Sequence, residues 1–268
     1  MATLSIEHRD LLHSLAWYMT ARQTALRSTM SFRMQLSVND QTDMRIHYSG
    51  YFQNLVAAID LVRDTKSLQP NNDIEARLKS RLVFSGFSDG EANYLYIREL
   101  RNSVIHRGLD ITSAAQFDGT FPMVLAAPKV QNPSGTKTYA SFDKYLLHVI
   151  AKCEAVIGPT IRECLDDAGL FQATIDTTAA EIEYREAVEQ SHVMSDHHKA
   201  LARSIEFEPE WAVAAHEATM VNLRRCCSLA IRTGRRSHHH DKKANNAELR
   251  PRRRPWGATW VVAERWYR

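Results

Sequence analysis

The chain has 268 residues, of which 44% are hydrophobic and 24% charged, and its formal net charge is +3. This length and apolar content suffice for one large domain or two small ones whose core needs neither disulfides nor a metal. The four cysteines form no C-x-x-C pair and have no histidine at zinc-ligand spacing, which argues against a disulfide framework and a structural zinc site. We therefore expect no metal or cofactor, and a reducing, cytoplasmic location.

The charge is unevenly distributed along the chain. Residues 232–268 hold 11 Lys or Arg against 3 Asp or Glu, which gives +8, whereas residues 1–231 hold 23 against 28, which gives −5. A basic segment attracts phosphate chains or anionic surfaces, and an acidic body argues against binding nucleic acid over a broad surface. No apolar run approaches the roughly 18 residues of a membrane span, and Glu7, Arg9 and Asp10 interrupt the start of the chain. We expect neither membrane association nor a signal peptide.

Apolar residues at helical spacing predict two long helices at the start of the chain, over about residues 6–27 and 40–66. A shorter helix is predicted over 73–84, with Asn72 as its N-cap. Ser88 and Asp89 offer N-caps for a fourth helix, which we expect to stop near Gly108 because glycine ends a helix at little cost.

The fourth helix has two distinct faces if it is regular. Five residues fall on the predicted core face: Asn93, Tyr96, Ile97, Leu100 and Val104. Four residues lie on the opposite face, with Arg101 at its flank: Tyr94, Arg98, Asn102 and His106. A surface of Arg, Asn and His therefore faces away from the core at the C-terminal end of this helix.

After the fourth helix the helical spacing of apolar residues stops. Residues 121–125 and 137–139 flank a turn-rich stretch at 132–135. This predicts a small β-hairpin or an ordered loop. Three further helices are predicted, and we expect Pro159 to kink or split the first of them: 142–165, 178–204 and 209–231.

These elements predict an all-α fold, a helical bundle with a small hairpin or ordered-loop insertion between the fourth helix and the following long helix. Three regions follow from the pattern: a bundle over 1–170, a helical extension packed on it over 171–231, and a basic tail over 232–268. The tail has no apolar period, which predicts disorder. Its tryptophans among basic residues are suited to holding single-stranded RNA by stacking and charge. A solvated extension without a specific role, or an altered reading frame, explains the same composition.

One segment of the predicted fourth helix carries the most informative chemistry, Arg101-Asn102-Ser103-Val104-Ile105-His106. An Arg, a polar residue, three further residues and a His near the end of a late helix resemble the motif of HEPN domains. The Asn directly after the Arg and the insertion before the last long helix are similar to bacterial members of that family. The resemblance covers about residues 6–165. It implies a helical bundle in which two protomers pack so that both motifs face one cleft.

The resemblance implies metal-independent RNA cleavage by a homodimer, with Arg101, Asn102 and His106 as catalytic residues and Arg98 and Arg107 as substrate-binding residues. The residue types suit that chemistry: His transfers protons near neutrality, and the planar Arg guanidinium binds two phosphate oxygens. RNA is the implied substrate, and the function is that of a toxin or defence effector held in check by an inhibitory partner protein.

Five positions separate Arg101 from His106, about 140° around a regular helix, so one helix aims the two side chains in different directions. A site shared across a two-fold dimer, with Arg101 of one chain near His106 of the other, resolves this geometry.

Other interpretations stay open at this point. Arg101 also suits an ion pair with a carboxylate of another helix, His106 suits capping of its own helix end, and Asn102 suits an ordinary surface position. The whole chain then has two alternative functions: a non-catalytic HEPN-like module for dimerisation or partner binding, or RNA binding through the basic tail.

Overall fold

Eight α-helices make up most of the residues that the computed structural model describes, which are 3–68 and 73–228. In chain order they are α1 (Ile6–Thr29), α2 (Val38–Asp64), α3 (Ile74–Arg81), α4 (Gly90–His106), α5 (Leu146–Asp167), α6 (Thr177–Gln190), α7 (Asp196–Ser204) and α8 (Pro209–Cys227). Four short strands lie between α4 and α5: β1 (Ala115–Asp118), β2 (Phe121–Val124), β3 (Lys129–Gln131) and β4 (Thr138–Ala140). The predicted all-α class, with its small insertion after the motif helix, is confirmed.

Side-chain caps fix where several helices begin. Ser37 and Asp40 form a reciprocal capping box at the start of α2, because each side chain accepts from the backbone amide of the other, at 3.1 and 2.8 Å. Asp89 accepts from the Ala92 amide at 2.9 Å and so caps α4.

The core forms around α2, which packs against α1, α4 and α5, and α8 packs against α1 and α5. One continuous cluster of buried apolar residues includes members from all five helices, among them Leu15, Tyr48, Phe52, Leu100, Ile157 and Leu223. β3 and β4 pack against α4. The strands therefore lie beside the predicted motif helix without separating it from α2.

A buried ion pair joins four of these helices. Arg22 of α1 is completely buried, and its Nη2 lies 3.2 Å from Oε2 of Glu154 in α5. Tyr51 of α2 donates to the other carboxylate oxygen of Glu154 at 2.7 Å, and Arg22 also donates to the Cys226 carbonyl at the end of α8. Burial raises the pKa of Tyr51 well above its usual value, so its hydroxyl stays protonated as a donor. These contacts connect α1, α2, α5 and α8 at one point.

Close approach of α8 to α5 depends on Gly158. A Cβ atom at this position would lie 3.0 Å from the Cys227 carbonyl oxygen, which is closer than side chains normally allow. Glycine at this position therefore lets the α8 backbone pack directly on α5.

The insertion, predicted as a small hairpin or an ordered loop, contains two hairpins. Residues 121–124 pair with 115–118 across Gly119, whose φ is +57°, and residues 129–131 pair with 138–140. Asp118 pairs with Phe121, so the loop of the first hairpin is Gly119-Thr120, and glycine at the first loop position supplies the positive φ that such a two-residue turn requires.

Several helix boundaries also differ from their predicted positions. α3 begins at Ile74 with Asp73 as its cap, and the predicted cap Asn72 lies outside the described residues. α5 begins at Leu146 rather than at 142, and it continues through Pro159. Of the two predicted effects of Pro159, the split is wrong and the kink stays a prediction. The predicted helix over 178–204 is two helices, because Ser195 caps a new start at α7.

The last predicted helix ends at Cys227. The end of its predicted range, and the predicted basic tail at 232–268, lie outside the described residues. The predicted boundary between the bundle and the helical extension, at residues 170 and 171, stays a prediction. Across residues 3–68 and 73–228, no helix combines the length and the apolar character that crossing a membrane requires.

Replacing Glu154 by Ala should lower the free energy of unfolding by about 3–5 kcal/mol, because the buried Arg22 guanidinium would lose its counter-charge. Urea denaturation of the full chain measures this loss. Glu163→Ala is the matched control on the same helix: its pair with Arg81 is half-exposed, so the change should stay within about 1 kcal/mol. Equal losses in the two variants would contradict the role assigned to the buried pair.

Candidate functional site

The candidate motif lies at the C-terminal end of α4, where the chain turns sharply out of the helix. The amides of Arg107 and Leu109 both donate to the Ser103 carbonyl, at 3.1 and 3.0 Å. Gly108 has a φ of +71°, in the left-handed region where a side chain would be strained. His106 is therefore the last helical residue, and it lies at the surface.

The predicted core face of α4 is buried, but one residue of the opposite face is not where we expected it. Asn93, Tyr96, Ile97, Leu100 and Val104 are all buried. Tyr94 was predicted to face away from the core, yet its exposed fraction is only 1%. The reason is that several elements surround α4, namely α2, α3, β3 and β4, so more than one face of the helix is covered.

Asp60 of α2 lies against α4 and contacts three arginines. Its Oδ1 accepts from Nη1 of Arg98 at 2.7 Å and lies 2.9 Å from Nη1 of Arg63. Its Oδ2 accepts from Nη2 of Arg101 at 3.1 Å. Asp64 binds Arg63 from the outer side, accepting from Nε and Nη2 at 2.8 and 3.1 Å. We call Arg63, Arg98 and Arg101 the arginine cluster.

Neighbouring groups favour the protonated form of two of these arginines. Burial by itself lowers the pKa of Arg98, but Tyr94 and then Asp60 raise it by more, so this pKa lies above its ordinary value. The hydrogen bond to Asp64 is the main cause that raises the pKa of Arg63. Three guanidiniums here face two carboxylates, which leaves a net charge of +1.

Glu99 organises the rest of the motif helix. Arg107 reaches back along α4 and donates to Oε2 of Glu99 at 2.9 Å and to Oγ of Ser103 at 2.7 Å. The Asn102 amide donates to the other oxygen of Glu99 at 3.4 Å. Asn102 therefore bonds within its own helix, one turn before it, and not to His106.

His106 is exposed, and its imidazole has no hydrogen-bond partner in the part of the chain that the structure describes. Among the same residues, no hydrogen bond or ion pair joins Arg101 to His106. The structure thus brings Arg98 and Arg101 together on Asp60, and it places Asn102 and Arg107 on Glu99. His106 stands apart from both groups within one protomer.

Sequence reasoning missed Asp60 and Arg63. A signal for both was present: Asp60, Arg63 and Asp64 are charged residues on a helix whose neighbouring positions, Ile59 and Val62, are buried. That pattern indicates an exposed edge of α2, but it does not indicate which helix faces this edge. The alternative in which Arg101 pairs with a carboxylate of another helix is confirmed.

The described residues contain no group of three or more His, Cys, Asp or Glu side chains placed to hold a metal ion. His192, His197 and His198 are exposed. What the arrangement at α4 offers is a surface of guanidinium donors with an exposed imidazole at the end of the same helix. Such a surface is suited to binding phosphate groups and to proton transfer. Comparison of the chain with protein-family models, curated proteins and solved structures finds no match.

Gly108→Ala should lower the free energy of unfolding by about 1 kcal/mol, because alanine is strained at positive φ. Gly50→Ala is the control inside α2, where a Cβ would meet only the Ala25 Cβ at 3.8 Å. It should stabilise the protein by about 0.5–1 kcal/mol. Urea denaturation measures both changes, and a neutral or stabilising Gly108→Ala would contradict the requirement for glycine at this helix end.

Proposed function

We propose that this protein is a HEPN-like, metal-independent endoribonuclease that acts as a homodimer on single-stranded RNA. The observation that carries the proposal is the placement of Arg101 and His106 at the end of α4: both lie off the core, and a cluster of guanidiniums flanks the Arg. The helical fold and the short insertion after the motif helix are compatible with it.

The reaction uses the ribose 2′-hydroxyl as the nucleophile. Its oxygen attacks the adjacent phosphorus, its proton leaves to a base, and the bond from phosphorus to the 5′-oxygen breaks as that oxygen is protonated. The products are a 2′,3′-cyclic phosphate and a 5′-hydroxyl. Proton transfer at either step is the role of His106, whose exposed imidazole is accessible to RNA.

Arg101 stabilises the negatively charged phosphorane in this scheme, since a guanidinium stays protonated and donates to two oxygens at once. Arg98 and Arg107 bind flanking phosphates. Asn102, at 3.4 Å from Glu99, contributes by bonding a phosphate oxygen rather than by orienting His106.

A dimer supplies the contact that one protomer lacks. Arg101 is directed toward α2 by Asp60, and His106 lies at the surface without contacting it. If two copies pack around a two-fold axis, Arg101 of one chain approaches His106 of the other. A cytoplasmic location and restraint by an inhibitory partner protein belong to the same proposal.

A second function has one observation in its favour. Arg98, Arg101 and Arg107 are each bound to a carboxylate of the same chain, as structural arginines are. A non-catalytic module that dimerises or binds a partner through this face has the same contacts. Activity measurements separate the two functions.

Purified protein should cleave single-stranded RNA in the presence of EDTA and leave 2′,3′-cyclic phosphate ends. Arg101→Ala and His106→Ala should each lower the rate about a hundred-fold or more, the scale for loss of a charge stabiliser or a proton-transfer group. The fold should survive in both variants, because His106 is exposed and Arg101 is outside the apolar core cluster. Gel analysis of a labelled RNA, with mapping of its ends, measures both results.

Arg203→Ala and His192→Ala are matched controls, because both residues lie away from α4 on the surface. They should cleave RNA at the wild-type rate. Cleavage that requires a divalent metal would contradict the mechanism, and full activity in His106→Ala would favour the non-catalytic module.

Mixing inactive Arg101→Ala protein with inactive His106→Ala protein should restore activity to about a quarter of the wild-type value. About half the dimers become mixed by random exchange, and one of the two sites in each mixed dimer has both residues intact. The rate is measured after subunit exchange has been demonstrated with two differently tagged chains. No recovery after such exchange would show that the residues do not act across a dimer.

A further inference from the structure

Asp60 brings together three arginines that would otherwise repel one another. Arg63 comes from α2, whereas Arg98 and Arg101 come from successive turns of α4, and the single carboxylate is 2.7–3.1 Å from all three. The three guanidiniums and Asp60 have a net charge of +2, which Asp64 on the outer side of Arg63 reduces to +1. The cluster thus remains positive with its internal counter-charges in place.

The cluster is held in position but is still accessible. The exposed fractions of the Arg63, Arg98 and Arg101 side chains are 31%, 23% and 21%. Arg98 is held a second time, because it donates to the Tyr94 hydroxyl at 3.0 Å and lies over its ring. The Nε of Arg101 is buried and has no hydrogen-bond partner among the described residues. An arginine that is already ordered loses less entropy when it binds an anion.

We infer that Asp60 is a positioning residue: its carboxylate fixes Arg63, Arg98 and Arg101 as one phosphate-binding surface for single-stranded RNA. This inference rests on the proposed function, and it adds two residues, Asp60 and Arg63, to the site. Asp60 does not touch the RNA. It acts by ordering the guanidiniums that do.

The direction in which RNA affinity changes when Asp60 is removed distinguishes a positioning residue from a carboxylate that is only nearby. If Asp60 were only a nearby carboxylate, its removal would make the surface more positive, and RNA would bind more tightly. If Asp60 positions the cluster, its removal releases Arg101 and leaves Arg63 and Arg98 only their contacts with Asp64 and Tyr94. The three side chains then lose their common anchor and must be ordered again on binding. RNA then binds more weakly although a negative charge has been lost.

The experiment measures binding of a fluorescent single-stranded RNA that carries 2′-O-methyl groups throughout and therefore has no 2′-hydroxyl to attack the phosphate. Fluorescence anisotropy at several KCl concentrations gives the Kd and its salt dependence. Asp60→Ala should raise the Kd about tenfold, in proportion to the side chains that it releases. Arg63→Ala should raise the Kd and reduce the salt slope by about one.

Two further variants keep the test independent of folding. Asp60→Glu retains the carboxylate and should stay within about threefold of the wild-type Kd, since the charge and acceptor oxygens are preserved. Asp60→Asn keeps the shape without the charge and should weaken binding, which gives the same comparison if Asp60→Ala does not fold. Glu189→Ala frees an arginine on α6–α7 in the same way and should leave the Kd unchanged.

The outcomes separate this inference from the proposed function. Weaker binding in Asp60→Ala, with restoration in Asp60→Glu, supports positioning even if the wild-type protein cleaves no RNA. Unchanged or tighter binding in Asp60→Ala overturns positioning even if the wild-type protein cleaves RNA. No binding of the methylated RNA by the wild-type protein also overturns it.

Discussion

The buried pair of Arg22 and Glu154 is the contact on which the arrangement of the helices depends. A guanidinium without exposure to water requires a counter-charge beside it, because an unpaired buried charge is strongly destabilising. Here the carboxylate is that of Glu154 in α5, which also accepts from Tyr51 of α2, and Arg22 donates to the Cys226 carbonyl at the end of α8. Because each partner belongs to a different helix, shifting any one of them would leave a buried charge or donor uncompensated.

Through α2, the buried ion pair also fixes the position of a residue at the surface. Tyr51 on one face of α2 is bound to Glu154 in the core, and Asp60, further along the same helix, is bound to Arg98 and Arg101 of α4. A helix is rigid over this distance, so fixing its core face also fixes the position of its surface carboxylate. The charge arrangement at the candidate site is thus a consequence of packing in the interior.

Two carboxylates, Asp60 and Glu99, bind different polar residues of the motif helix. Asp60 binds Arg98 and Arg101 from another helix, whereas Glu99 binds Arg107 and Asn102 within α4 itself. The contact between Asn102 and Glu99 spans three positions and follows from helix spacing. Arg107 reaches Glu99 across eight positions of the same segment. The pairs on Asp60 join distant parts of the chain, and they leave the positive charge in excess. The arginine cluster is therefore the part of this surface with the capacity to attract an anion.

His106 differs from these residues, because nothing in its own protomer holds it among the residues that the structure describes. A proton-transfer group needs a fixed orientation relative to the reacting atoms. In the proposed enzyme that orientation comes from the RNA and from the second protomer. In the alternative module, His106 is a surface residue at a helix end, and the dimer has no catalytic role.

The sequence by itself determined most of the helices, because the apolar period and the capping residues are local properties, but it did not divide residues 178–204 into α6 and α7. It also determined the buried face of α4, and it placed Arg101 and His106 off the core. Only the tertiary structure decided that Asp60 contacts Arg101, that Tyr94 is buried and that the insertion contains two hairpins. The physical reason is that spacing along a helix tells which side of it is apolar, but not which other helix covers that side. Contacts such as that between Asp60 and Arg101 join residues 41 positions apart, and they form only when the whole core has packed.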